Sequence, residues 1–190
     1  MNENDLARKV VSTFESLEIP YFITGSMASI AMGEPRYTND IDIVADIPPG
    51  KIGQLLAAFP SPEFYLSESA VREAVSQRFQ FNIIHPRSGL KVDVMLLVED
   101  AFDRTRMSRK VRLNVDAETV GWFSSAEDLI LKKLVFFQLG GSEKHLRDVS
   151  GVLLVQGDRI DRTYLDQWAK KLGVTEELAL VQRRLDERQE

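Results

Sequence analysis

The segment Asp40-Ile41-Asp42-Ile43-Val44 narrows most what this chain can become. Its β-branched residues favour a strand, and strand side chains alternate between faces. Asp40 and Asp42 therefore share one face, while Ile41 and Ile43 share the other. Two neighbouring carboxylates repel, and setting them beside a core is costly unless a cation compensates. A divalent metal is the simplest such cation. Oxygen-only ligands suit Mg²⁺ or Mn²⁺, often together with a substrate's phosphates.

The surrounding pattern predicts a mixed α/β chain. Leu6, Val10, Phe14 and Leu17 recur at helical spacing, so a helix is expected over ~4–18, ended by Pro20. Tyr21 to Thr24 reads as a strand broken by Gly25-Ser26, with a small-residue helix from Met27 to Met32. A second strand runs from Ile41 to Ile47, and Pro48-Pro49-Gly50 leads into a helix carrying Ile52, Leu55, Leu56 and Phe59. Ser67 to Gln77 reads as a helix. Phe79 to His85 and Leu90 to Val98 read as strands around the hairpin composition Pro86-Arg87-Ser88-Gly89. Weaker strands are expected over 109–115 and 119–123.

After Phe123 the pattern turns helical. Ser124 and Glu127 form a capping-box pattern for a helix through Leu139, stopped by Gly140-Gly141. Further helices are expected over 142–155, 161–172 and from Thr175 onward, with Tyr164 and Trp168 packing between them. The expected organisation is an α/β core over 1–123 and a helical region over 124–190.

Asp93 is the third acid of interest. It lies between Val92 and Val94, so it too faces away from the side its neighbours fill. If its strand neighbours the first, Asp40, Asp42 and Asp93 converge. Three such carboxylates can hold one or two Mg²⁺ ions, which clamp a triphosphate and lower the pKa of an attacking hydroxyl. Gly25-Ser26 stands where a strand becomes a helix, which lets phosphate approach the backbone and the free N–H groups of the helix start.

Bulk composition sets outer limits. With 190 residues and 44% hydrophobic content, a sizeable core is available. The absence of cysteine removes disulfides, thiolate catalysis and cysteine-ligated zinc, and fits a cytoplasmic location. The polar, acidic start carries no signal-peptide pattern, and no apolar run reaches membrane-spanning length. A net charge of −5 argues against a non-specific nucleic-acid coat protein. Arg104, Arg106, Arg109, Lys110 and Arg112 form the densest basic cluster. It reads either as a solvated loop or hairpin edge or as a rim for phosphate or RNA. His85 and His145 have no metal-ligand spacing and read as structural.

These motifs together resemble the nucleotidyltransferase superfamily, which shares its fold with DNA polymerase β. The resemblance rests on the ordered set Gly25-Ser26, Asp40-Ile41-Asp42 and Asp93, and covers about residues 20–170. The longer string from Gly25 through Gly33, Arg36, Thr38 and Asp40 is similar to bacterial DUF6036-type proteins and, more distantly, to AbiEii/MenT-type toxins. The stretch from Glu127 to Leu134 and from Gly141 to Asp148 resembles the first group.

The resemblance implies a nucleotidyltransferase core with a mixed twisted sheet flanked by helices, plus the C-terminal helical region. It implies metal-dependent transfer of a nucleoside monophosphate from ATP or another NTP to an acceptor hydroxyl. Asp40, Asp42 and Asp93 are then the metal ligands, and Gly25 and Ser26 hold the β- and γ-phosphates. Arg36 either reaches a phosphate or pairs with a nearby acid, and Thr38 belongs to the same string. In toxin-like relatives a helical lysine and acid join the site. By position these are Lys133 and Asp148, against the alternative of an ordinary helix–helix salt bridge. The acceptor is a tRNA end or other RNA, a protein hydroxyl or a small molecule, and a toxin-like enzyme has a cognate antitoxin. The rival from another class is a non-catalytic nucleotide- or protein-binding module on the same fold.

Overall fold

The computed structural model describes residues 1–35, 38 and 40–187. The chain divides into two compact units, one of Met1–Met27 with Tyr37–Ser124 and one of Ala28–Arg36 with Ser125–Glu190.

The first unit is built on a six-stranded sheet. Its strands are β1 (Tyr21–Thr24), β2 (Asp40–Ala45), β3 (Gln80–His85), β4 (Leu90–Leu96), β5 (Val111–Asn114) and β6 (Val120–Phe123), in the spatial order β3-β4-β2-β1-β6-β5. β2 runs parallel to β4 and β1 parallel to β6, while the other neighbours are antiparallel. The parallel β2–β4 pair decides the site, because it sets Asp40 beside Lys91, Asp42 beside Asp93 and Val44 beside Met95.

Alternation then separates two faces. One carries Tyr21, Ile23, Ile41, Ile43, Val92 and Val94, all buried. Helix α1 (Glu3–Ser16) contributes Leu6, Val10, Val11 and Phe14 to the core, and the Phe14 ring meets Tyr21 edge-on at 5.7 Å. Its N-terminus is closed by a capping box between Asn2 and Asp5. Helices α2 (Gly25–Met32), α3 (Ile52–Ala58) and α4 (Glu68–Gln77) follow, the last capped by Ser67.

The other face is apolar at one end and acidic at the other. Phe22, Val44 and Leu97 are buried there, with Met95, Met107 and Trp122 packed against them. Part of this cover comes from α5 (Ala101–Arg109), which sequence periodicity does not reveal. Asp100 caps it by accepting the Asp103 N–H at 2.7 Å. Arg106 is 2% exposed, with its guanidinium 4.9 Å from the Phe22 ring centre and Nη1 donating to Asp103 at 2.7 Å. The basic cluster is therefore not a uniform rim. Arg112 pairs with Glu15 at 2.6 Å, and Lys110 and Arg112 both lie over the Trp122 ring.

The second unit is helical. α6 (Ala126–Gly140), α7 (Glu143–Gln156), α8 (Arg162–Leu172) and α9 (Thr175–Asp186) pack through Leu129, Ile130, Leu134, Val149, Leu165, Leu178 and Val181. The cap of α6 falls one residue later than the sequence pattern suggests. Ser125 accepts the Asp128 N–H, its hydroxyl donates to the Asp128 carboxylate at 2.8 Å, and Tyr164 Oη donates to the same carboxylate at 2.6 Å. The unit also takes in Ala28–Arg36, for a local reason. A Cβ on Gly33 would stand 3.0 Å from the Val152 backbone nitrogen, and one on Gly151 would stand 3.3 Å from that of Glu34. Bare backbone on both sides permits this approach, and Gln156 Nε2 donates to the Met32 carbonyl at 2.6 Å. Among the described residues no helix is long and apolar enough to cross a membrane.

Candidate active site

The acidic end of the sheet face is the candidate site. Asp40 is exposed at the start of β2, Asp42 is half-buried and Val44 is buried, so exposure falls along the strand. Thr38 sets this start, because its hydroxyl accepts the Asp40 N–H at 3.2 Å. Asp93 lies beside Asp42 in the register and is 23% exposed. The backbone thus brings three acids onto one face of two adjacent strands.

Gly25 closes the site from the β1 side. Thr24 is the register partner of Asp42, and the next residue turns with φ +61. A Cβ on Gly25 would stand 2.6 Å from Cγ of Asp42, a separation that real Cβ atoms do not reach. Glycine is therefore required twice, by the left-handed backbone and by the carboxylate against it. Ser26 is buried in the first turn of α2. The helix start presents backbone N–H groups, which favour an anion.

The side chains add a feature that sequence reasoning did not single out. Lys91 Nζ donates to both oxygens of Asp93, at 2.8 and 3.1 Å. Asn82, the register partner of Asp93 on β3, donates its amide N–H to the same carboxylate. The bond with Asp93 raises the Lys91 pKa above its ordinary value, and the charges of Asp40 and Asp42 add to the effect. One ammonium thus lies in the field of all three acids. The only sequence signal for it is the same-face spacing of Lys91 and Asp93.

The donor set suits a hard divalent ion by type and by backbone placement. In the present side-chain arrangement, among the described residues, no group of three histidine, cysteine or acidic side chains is placed to hold a metal ion. At Asp93, Lys91 and Asn82 both engage the carboxylate.

The remaining residues of interest, Arg36 apart, are each described within their own unit. Arg36 falls outside the described residues. Lys133 and Asp148 belong to the second unit, where Lys133 Nζ donates to Asp148 at 2.7 Å with side chains 7% and 4% exposed. This pair ties α6 to α7. Lys132 lies over the Phe136 ring at 5.4 Å. Glu127 is buried and accepts the Asp161 N–H, and buried Asp128 takes part in the α6 cap, so both acids have structural partners. His85 bonds Ser88 within the β3–β4 turn at 2.8 Å.

No protein-family model and no curated protein matches the sequence. Solved structures do. The chain is similar to the antibiotic-resistance factor ANT(2'')-Ia in solution, with a TM-score of 0.57 and 14% identity over 95% of this chain and 96% of that one. It is also similar to ANT(2'')-Ia in complex with adenylyl-2''-tobramycin, with a TM-score of 0.57 over 89% of this chain and 95% of that one. An antigenic nucleotidyltransferase-like protein from Paracoccidioides brasiliensis matches with a TM-score of 0.54 and 20% identity, over 94% of this chain and 91% of that one. The mixed sheet with its flanking helices is the nucleotidyltransferase fold.

Proposed function

We propose that this protein transfers a nucleotidyl group. An acceptor hydroxyl gives up its proton to a site carboxylate and thence to solvent as its oxygen attacks the α-phosphorus of a nucleoside triphosphate, a new P–O bond forms, and pyrophosphate leaves with the electrons of the broken bond. The observation that carries this reading is the side-by-side register of Asp42 and Asp93, with the Gly25 turn against Asp42.

Each residue has a task in the reading. Asp40, Asp42 and Asp93 would hold Mg²⁺ or Mn²⁺, whose chemistry is to neutralise the triphosphate and acidify the acceptor hydroxyl. The Gly25 turn and the backbone N–H groups around Ser26 would receive phosphate oxygens. Asn82 would keep the Asp93 carboxylate oriented. Most of the rate gain would come from in-line positioning and charge neutralisation.

A small-molecule hydroxyl is the acceptor class we favour. A toxin-like reading, with tRNA as acceptor and a cognate antitoxin, calls for a continuous basic face. The densest basic run instead spends Arg106 inside the core and Arg112 on Glu15. ANT(2'')-Ia, which has a similar fold, is seen with adenylyl-2''-tobramycin. The second reading is a non-catalytic binding module, favoured by the fact that Lys91 already neutralises Asp93.

Pyrophosphate release separates the two. Wild type and Asp42→Asn are incubated with each NTP, Mg²⁺ and a panel of small hydroxylated acceptors or bulk tRNA. The transferase reading expects acceptor-dependent pyrophosphate from wild type, reduced by about 10²- to 10³-fold in Asp42→Asn. Nucleotide binding without turnover on every acceptor would favour the binding module.

A further inference from the structure

We propose that Lys91 is the built-in counter-ion of the acidic face, occupying Asp93 until a divalent ion displaces it and then passing to the phosphates of the arriving nucleotide. The inference rests on the nucleotidyl-transfer reading and adds a residue which that reading does not contain.

The argument begins with register. Parallel pairing of β2 and β4 puts Lys91 beside Asp40 and Asp93 beside Asp42. The four side chains form two rows on one face, three negative and one positive. Lys91 and Asp93 are two residues apart on one strand, so their side chains rise together. The ammonium reaches both carboxylate oxygens, and Asn82 donates to the same group from the opposite strand.

A divalent ion and an ammonium repel, so both cannot sit on the Asp93 oxygens at bonding distance. The ammonium is the one that can leave. Its side chain is 47% exposed on a flexible four-carbon stem, and a partly exposed pair of this kind is weak in water. Asn82 is neutral, so it can stay and hold the carboxylate in place. Once freed from Asp93, Lys91 remains on the acidic face beside Asp40, where the arriving polyphosphate brings further negative charge for it to pair with. Metal binding alone then works against Lys91, while metal and nucleotide binding support each other.

The test is a Mn²⁺ titration followed by the loss of the free-ion paramagnetic signal, using full-length wild type, Lys91→Met and Asp93→Asn. Folding of each variant is checked by its melting temperature. Lys91→Met keeps the apolar stem and removes the competitor, so it is expected to bind Mn²⁺ about two- to five-fold more tightly than wild type. Asp93→Asn is expected to bind more weakly. In a second arm, the affinity for non-hydrolysable triphosphate analogues is measured by calorimetry with and without Mn²⁺. The gain due to Mn²⁺ should be smaller in Lys91→Met than in wild type.

Equal or weaker Mn²⁺ binding by Lys91→Met would overturn the role of Lys91 and leave the transferase reading standing. Mn²⁺ binding that is indifferent to Asp93→Asn would locate the ion elsewhere and overturn it as well. No Mn²⁺ binding to any variant, with no nucleotide effect, would overturn both readings together.

Discussion

Gly25 faces the Asp42 carboxylate so closely that a side chain on Gly25 would stand where that carboxylate is. The Gly25 turn and the first acidic strand are therefore one fitted object. Gly25→Ala should cost at least ~1 kcal/mol from its left-handed backbone alone, and should also push Asp42 aside. The expected outcome is a lower urea midpoint together with loss of nucleotide-dependent stabilisation. A Gly25→Ala protein that keeps both would separate the turn from the site.

The Lys133–Asp148 pair is nearly dry, and its energetics should follow from that. Removing one partner breaks a buried ion pair, so Lys133→Met or Asp148→Leu alone should each destabilise by more than the ~1 kcal/mol of an exposed pair. The double variant should recover most of the loss, because two apolar chains of similar size can fill the same space. Chemical denaturation of the four proteins in a mutant cycle measures this directly. Simple addition of the two losses would contradict it.

The basic run should divide sharply by position. Arg106 lies inside the core against Phe22 and Asp103, so Arg106→Met should cost ~3–5 kcal/mol by stranding the Asp103 carboxylate. Arg104→Ala and Arg112→Ala remove exposed charges and should cost no more than ~1 kcal/mol. Urea midpoints of the three variants check the split.

Much of the site is legible in the sequence, because its signals are local. Period-two alternation puts Asp40 and Asp42 on one face, and the valines around Asp93 do the same for it. The β2–β4 adjacency, by contrast, is a parallel crossover pairing that no short window contains. Lys91 is harder to read, since a lysine at a strand end ordinarily means solvent. Helix α5 is hidden because its buried positions include Arg106 and Asp103, which break the apolar period. The Gly33–Gly151 approach is hidden because two isolated glycines far apart in sequence carry no pattern that joins them.

His145 should make the protein sensitive to mild acid. Burial is the main cause that lowers its pKa below the usual histidine value, the Lys133 charge lowers it further, and Asp148 opposes. The unfolded chain then binds the proton more readily than the folded one. Stability is therefore full above about pH 6.5 and falls as pH drops from there through the depressed folded value. His145→Gln should flatten this part of the profile, measured as the difference in urea midpoint between wild type and variant from pH 7.5 to 5. A variant with the same slope as wild type would contradict the assignment.

The acidic face beside Gly25 as a seat for metal and triphosphate is tested most directly by melting temperature. Wild type, Asp42→Asn and Asp93→Asn are heated with each NTP, with and without Mg²⁺. At a hundredfold excess over Kd, a bound nucleotide should raise the wild-type midpoint by about 5–10 °C. That rise should require Mg²⁺ and should shrink strongly in both variants. Equal shifts in all three proteins, or a shift indifferent to Mg²⁺, would contradict the account.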